Sequence, residues 1–399
     1  MKDDHSIYNL FTSRIVLAFL LIESTFKPIL KYFEWHHGGV RINISIIYAV
    51  FFLLLIGILI VRLSVWKKFK MHKDIFLAAS LLFLIAVIVI ASYPSIVSAN
   101  IHRIQEYYLF YFSSTIIRSF LYFFSGFYLL QFLEKKRFVR LILISWGVYT
   151  AVIFAFSVMK GGILDATLFA LNGNHNYLMM ADAYALLSII LIVSQVTLSR
   201  KSIFILISIL ALFLLKSRAS MYAFVFVSFA TLVRFDKRFI WGVCIALLLG
   251  LWQLDVLESI RSVANHRMFR VLIGEDNSAT MRSDIMSIGL EGIKQHWFLG
   301  QFMGDVLQKE KTGNYIHNIL SYWRQFGLIP FVLLVYLIFK NYTNLIYAVL
   351  THGWNPRLDF IFFYGFYVLA LVLFARSFMY PSIWIIFSAV PVYFNTQRK

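Results

Sequence analysis

Residues 75–92 read IFLAASLLFLIAVIVIAS, eighteen positions without a charge or an amide. A helix needs about 20 such residues to cross the hydrocarbon of a bilayer. The run is solid, so it lacks the alternation of the roughly ten-residue strands in a membrane β-barrel. Only helices and closed barrels satisfy the backbone in lipid, and this stretch therefore reads as a spanning helix. Comparable runs lie at 8–30, 42–62, 108–132, 139–159, 177–198, 202–215, 220–233, 239–255, 317–340, 358–375 and 377–394. Of 399 residues, 60% are hydrophobic and 14% charged, whereas a soluble domain carries roughly 25% charged residues. An ordinary soluble enzyme is excluded. The expected fold is an all-α polytopic membrane protein of about 12 transmembrane helices. One domain covers 1–399, and one large helical loop, 256–316, separates spans 9 and 10.

Charge orients the threading. Lys and Arg number 37 against 19 Asp and Glu, a formal +18. In a soluble chain this would suggest nucleic acid; here it matches the basic bias of short cytoplasmic loops, and no nucleic-acid partner is expected. Lys67, Lys68, Lys70 and Lys73 follow the second run, and Lys135, Lys136, Arg137 and Arg140 the fourth. Arg200 and Lys201 follow the sixth, Arg234, Lys237 and Arg238 the eighth, and Lys340 and Arg357 flank the loop after the tenth. All are even-numbered exits, which puts both termini in the cytoplasm of a bacterial inner membrane and the 256–316 loop in the periplasm. That loop holds seven basic and seven acidic residues, so the excess charge lies elsewhere. Within it Met281, Ile285, Ile288, Ile293 and Trp297 recur at near-helical spacing, with Asn277 or Ser278 as cap. This stripe is expected to lie on the bundle like a lid. The first run lacks a small-residue cleavage site and is expected to be retained. The one cysteine, Cys244, allows no internal disulfide and no cysteine metal site.

The informative residues are basic ones on the external side. Lys216 and Arg218 fall in KSRAS (216–220), Arg376 in FARSFMY (374–380), and Arg282 near the start of the loop helix. Snorkelling to lipid phosphates is the bland explanation for any one of them. Several at one membrane level suit a diphosphate, because guanidinium forks bind phosphate bidentately and stay charged. His317 would stand at the same level, with Tyr315 and Asn318 beside it, and imidazole is the side chain poised to relay a proton near neutral pH. His175 and Asn176, in GNHNY (173–177), are further external candidates for sugar binding. Asp182, just inside the sixth span, is a functional candidate or the structural partner of one of the arginines. Glu23 and Lys27, four apart, can pair with each other. Glu275–Asp276 is the one adjacent acidic pair on the external side, and no HExxH, P-loop or GxSxG occurs. A metal-free, cofactor-free mechanism is expected, with arginines carrying the charge of a leaving diphosphate.

Four segments together resemble the superfamily of bacterial O-antigen ligases and O-antigen polymerases. They are LLKSRASMYAF (214–224), NSATMRSDIMSIGLEGIKQHWFLGQFMG (277–304), IHNILSYWRQFGLIP (316–330) and LFARSFMYPS (373–382). In that superfamily the loop segment is an arginine on a helix, followed by a turn with spaced glycines, here Gly300 and Gly304. The glycine after the His-Asn pair is Gly327, and Pro330 stands where a second small residue is expected. The likeness covers roughly residues 205–385; the N-terminal half matches as a set of hydrophobic spans. It implies a membrane glycosyltransferase of the GT-C type using an undecaprenyl-diphosphate-linked glycan donor. The acceptor is the next lipid-linked glycan for a polymerase, or lipid A–core for a ligase. By motif, Arg218 and Arg282 would bind the diphosphate and His317 would deprotonate the acceptor. Lys216, Arg376, Tyr315, Asn318, His175, Asn176 and Asp182 complete the expected substrate-binding set. The modest loop and the aromatic, amide-rich HNILSYWRQFG favour polymerase over ligase, with a chain-length regulator as a candidate partner. A flippase or transporter of lipid-linked sugar is the third reading. Only 6 prolines and no similarity between halves speak against it.

Overall fold

The computed structural model describes residues 2–27, 44–65, 73–99, 101–155, 158–160, 163–165, 176–195, 197–215, 217–236, 277–309 and 315–397. The run at 239–255 and residues 256–276 of the loop lie outside the described residues. The remaining apolar runs form helices. In chain order these begin with α1 (Lys2–Leu21), α2 (Ile44–Val65), α3 (Lys73–Ala91) and the short α4 (Tyr93–Val97). α5 (Ile104–Phe112) and α6 (Arg118–Phe132) are joined by a π-helical turn, Ser113–Ile117, and a second one, Ile22–Phe26, extends α1. α7 (Lys136–Ala155) leads to a small antiparallel hairpin, β1 (Val158–Lys160) and β2 (Ile163–Asp165). α8 (Asn176–Ser194), α9 (Leu198–Leu214) and α10 (Arg218–Phe235) follow. The loop supplies α11 (Asn277–Gln295) and α12 (Gly304–Lys309). α13 (Leu320–Phe326), α14 (Leu328–Thr351), α15 (Pro356–Phe374) and α16 (Ser382–Gln397) close the chain.

The chain is a helical membrane protein. Among the described residues, five helical segments are long and apolar enough to cross a bilayer: Lys73–Val97, Lys136–Ala155, Arg218–Phe235, Leu328–Thr351 and Pro356–Phe374. Their outward faces keep large apolar side chains such as Phe83, Phe226 and Phe339 exposed, as lipid-facing surfaces do. The centre is α16, where every residue from Ser382 to Pro391 is buried, as expected of a helix apolar all round. α6 lies directly on it. A Cβ on Gly126 would stand 1.9 Å from Ser388 Oγ and 2.5 Å from the Ile385 carbonyl oxygen, the close backbone approach that small residues permit in membrane bundles.

The bundle has two polar ends. At one, Arg234 closes α10 onto the start of α15. It pairs with Asp359 and donates to the carbonyls of Val349 (2.7 Å), His352 (3.1 Å) and Gly353 (2.8 Å). Asn355 caps α15 there by accepting from the Arg357 and Leu358 amides, with Pro356 in the first turn. Lys201 donates to the Ile192 carbonyl at 2.8 Å and lies 3.8 Å from the Trp354 ring centroid. The other end lies where α10 begins and α15 finishes. The eighteen residues of α10 separate the ends by about 27 Å, close to the roughly 30 Å of a hydrocarbon core.

Two expectations change. The single run at 317–340 becomes two helices, α13 and α14, parted at Gly327 with φ +82°. Pro330 falls in the first turn of α14, where its missing amide N–H breaks no hydrogen bond. The loop helix uses only part of its predicted stripe. Ile293 is buried and Ile285 half-buried, but Ile288 and Trp297 are exposed, and Gly289 and Gly292 are buried beside Ile293. The packed face is made largely by glycines, because α11 lies too close to its neighbours there for larger residues.

Candidate functional site

At the α10-start end, the turn after α15 carries Arg376 inward onto Asp182 of α8. The guanidinium grips the carboxylate twice, Nε to Oδ2 at 2.9 Å and Nη2 to Oδ1 at 2.8 Å. Asp182 Oδ1 also accepts from Ser220 Oγ at 2.7 Å and from the Tyr367 hydroxyl at 2.9 Å. Arg376 Nη2 donates in addition to Ser220 Oγ at 2.8 Å, and Nη1 reaches the Ala375 carbonyl at 3.4 Å. Because the Ser220 proton goes to Asp182, Ser217 Oγ donates to Ser220 Oγ across 2.8 Å. Both charges are nearly buried, and burial of an ion pair is tolerable only with such additional hydrogen bonds. Arg376, expected among the phosphate-binding groups, therefore commits its fork to the protein. It fixes the turn Ser217–Ser220, and with it the place where Arg218 leaves the first turn of α10.

The segment after the loop is laced to the same turn. Tyr315 lies near Ser377, the neighbour of Arg376, and burial pushes its phenol above the ordinary range. Its ring lies 5.1 Å from that of His317 and 5.9 Å from Phe378. The Phe378 amide donates to Ser321 Oγ at 2.8 Å. Asn318 caps its own turn by accepting from the Leu320 amide at 2.9 Å and reaches Met286 Sδ of α11 at 3.8 Å. Arg282 stands four residues before Met286, on the same face of α11 and one turn on. It is exposed. Arg218, Asp182, Arg376, Tyr315, His317 and Asn318 thus gather at one end of the bundle, with the helix bearing Arg282 alongside.

The loop is seated by glycines. A Cβ on Gly289 would come within 2.3 Å of the Ile316 side chain. Gly292 and Gly304 flank the Arg324 guanidinium, and a Cβ would lie 2.2 Å from Nε at the first and 2.5 Å from Nη2 at the second. Gly300 (φ +69°) meets Gly327 (φ +82°) backbone to backbone, a conformation and an approach that other residues resist. Leu328 N donates to the Phe298 carbonyl at 3.0 Å, and Gln301 N to the Arg324 carbonyl at 3.0 Å. Arg324 is 1% exposed and stands 4.0 Å from Asp305. Asp305 accepts from Gln325 Nε2 at 2.6 Å, and Gln325 Oε1 accepts from the Met303 amide at 2.7 Å. Burial pulls the Arg324 guanidinium down and pushes the Asp305 carboxyl up, against the attraction of each for the other.

Lys216 and His175 lie outside the described residues, and Asn176 is described as the first residue of α8 only. Glu23 does pair with Lys27 at 3.2 Å, but its carboxylate also takes Arg118, Tyr48 and Tyr122, a buried knot tying α1 to α2 and α6. Among the described residues no group of three His, Cys, Asp or Glu side chains stands close enough to hold a metal. Ser220, Tyr367 and Ser377 escaped the reading of the chain, since isolated hydroxyls in apolar helices carry no spacing signal. Gly292 and Asp305 escaped it too, because their partner Arg324 lies well along the chain. No family model and no curated protein matches the chain.

Proposed function

We propose that the chain is a membrane glycosyltransferase that transfers glycan from an undecaprenyl-diphosphate carrier during surface polysaccharide assembly, as an O-antigen repeat-unit polymerase. The observation that supports this reading is that Arg218, Tyr315, His317 and Asn318 lie at the same end of the bundle as the Asp182–Arg376 pair, with the Arg282 helix beside them. In this reading about twelve spans cross the inner membrane. The even-numbered basic exits face the cytoplasm with both termini, and the site opens to the periplasm.

The acceptor hydroxyl attacks the anomeric carbon while the carbon–oxygen bond to the diphosphate breaks, both electrons leaving with the phosphate oxygen. His317 takes the hydroxyl proton. Attack from the face opposite the leaving group inverts the anomeric centre. Arg218 and Arg282 hold the diphosphate and gain interaction as its charge grows, which is differential stabilisation of the transition state. Arg376 acts through Ser217–Ser220 as a positioning residue. Loss of one charge-stabilising donor costs about 10²–10³ in rate, and loss of a general base about 10²–10⁴.

The test is a lipopolysaccharide ladder gel from a deletion strain complemented with Arg218→Ala, Arg282→Ala, Arg282→Lys or His317→Ala, with protein levels matched. A polymerase deletion leaves surface glycan one repeat long, and Arg282→Lys retains more activity than Arg282→Ala. The ligase reading uses the same groups and a different acceptor; its deletion leaves core without glycan. Full-length ladders with His317→Ala remove His317 from the mechanism.

A further inference from the structure

α11 ends in the turn His296–Gln301, inside the segment whose sequence reads as an aqueous loop. Three consecutive apolar residues there point away from the protein: Trp297 is 54%, Phe298 47% and Leu299 75% exposed. They cannot fold back. The Trp297 carbonyl accepts from Trp323 Nε1 at 2.7 Å, the Phe298 carbonyl from the Leu328 amide at 3.0 Å, and Gly300 N donates to the His296 carbonyl at 2.8 Å. The Gly300–Gly327 contact then closes the turn. The exposure is built into a pinned backbone.

We propose that this turn is a membrane anchor, inserted into the leaflet at which α14 begins, with the bilayer interface as its partner. The partner follows from what the turn adjoins. Its bonds run to Trp323 and Leu328, the residues on either side of the joint where α14 starts. The exposed face of α14 continues as Ile329, Val332 and Phe339, the lipid-facing surface of a helix long enough to span. Trp323 stacks on Phe331 at 5.1 Å across the joint. The apolar ridge of the turn extends that surface sideways. Its polar border suits headgroups, since Lys294 and His296 are exposed immediately before it, and tryptophan with flanking cations is the composition of membrane–water interfaces. The C-terminal end of α11 is thereby held at the bilayer surface, whatever reaction the bundle carries out.

The test places a spin label on the full chain in vesicles of phosphatidylethanolamine and phosphatidylglycerol. The native cysteine is removed as Cys244→Ser, and Leu299→Cys carries the label. Ser283→Cys, exposed near the start of α11, serves as the aqueous control and Phe339→Cys as the lipid control. Accessibility to oxygen and to a water-soluble nickel chelate is read by power saturation. The label at 299 is expected to match Phe339→Cys, with oxygen access exceeding chelate access severalfold. Chelate access equal to that at Ser283→Cys overturns the anchor in favour of a water-facing turn. Shielding from both reagents overturns it in favour of a protein partner or a second copy. Phe298→Cys repeats the measurement if Leu299→Cys does not assemble.

Discussion

Asp182 and Arg376 each bring a full charge into an apolar bundle, and each is tolerable only because of the other. Removing one leaves the remaining charge buried and alone, which costs about 3–5 kcal/mol. Asp182→Ala and Arg376→Ala are both expected to lower the thermal midpoint in detergent, and the double variant to lose less than the sum of the singles. Additive losses would show that the two side chains do not act as a pair. Asp305 gives a prediction of opposite character. Burial holds its carboxyl above the ordinary 3.8, so between 3.8 and the folded value the folded protein keeps a proton that the unfolded chain releases. This group's contribution is complete below the unfolded value and is lost as pH rises through the folded one. This group's contribution to thermal stability in detergent should therefore fall as the pH is raised above about 4. Asp305→Asn should flatten that slope, and an unchanged slope would place the titration elsewhere. Asp182 stands out in the sequence as a carboxylate inside a span, but its partner is 194 positions away and no local pattern points to it.

Glycines decide how closely the helices and the loop approach one another. Gly126 of α6 faces Ser388 and the Ile385 carbonyl, whereas a Cβ on Gly147 of α7 would meet nothing within 4 Å. Gly126→Ala should destabilise the bundle by about 1–3 kcal/mol or more, the cost of overpacking. Gly147→Ala should be neutral or stabilise by up to roughly 1 kcal/mol from helix propensity. Equal effects in detergent unfolding would show that α6 and α16 are not in backbone contact. Gly292→Ala should push on Arg324 and loosen α11, detectable as faster proteolysis of 277–309 with the spans intact. Reading α11 as amphipathic through its isoleucines picks out a face that is partly exposed. Periodicity reports where apolar residues recur, but a face selected for the absence of side chains leaves no hydrophobic trace. Gly300, Gly304 and Gly327 are visible as spaced glycines, yet that Gly300 meets Gly327 while Gly304 meets Arg324 depends on folding 297–304 back onto 324–328.

Across the molecule, the two polar ends stand about one hydrocarbon thickness apart, and this geometry makes the orientation testable. Gly353 is exposed beside Arg234 and a Cβ there meets no atom within 4 Å. With Cys244→Ser, Gly353→Cys should react with an impermeant maleimide only after cells are opened, and Lys294→Cys should react in intact spheroplasts. The reverse pattern would put the Arg218–His317 end in the cytoplasm and defeat the proposed transferase. The basic residues behind this orientation are readable from the chain because the bias of short cytoplasmic loops toward Lys and Arg acts on residues beside each span, irrespective of their tertiary neighbours.

Helix class, the places of most helices and the charge asymmetry are therefore properties of the chain, each set by a local free energy of moving apolar or charged groups into a bilayer. Residues 75–92 and 358–375 are readable for that reason, and they lie within α3 and α15 with a residue or two of difference. Which arginine is committed to Asp182, where the 317–340 run breaks, and which face of α11 lies against the bundle are decided by tertiary contact. Those outcomes depend on distances between groups far apart in sequence, and on buried charges that take whichever partner the packed helices bring within hydrogen-bonding reach.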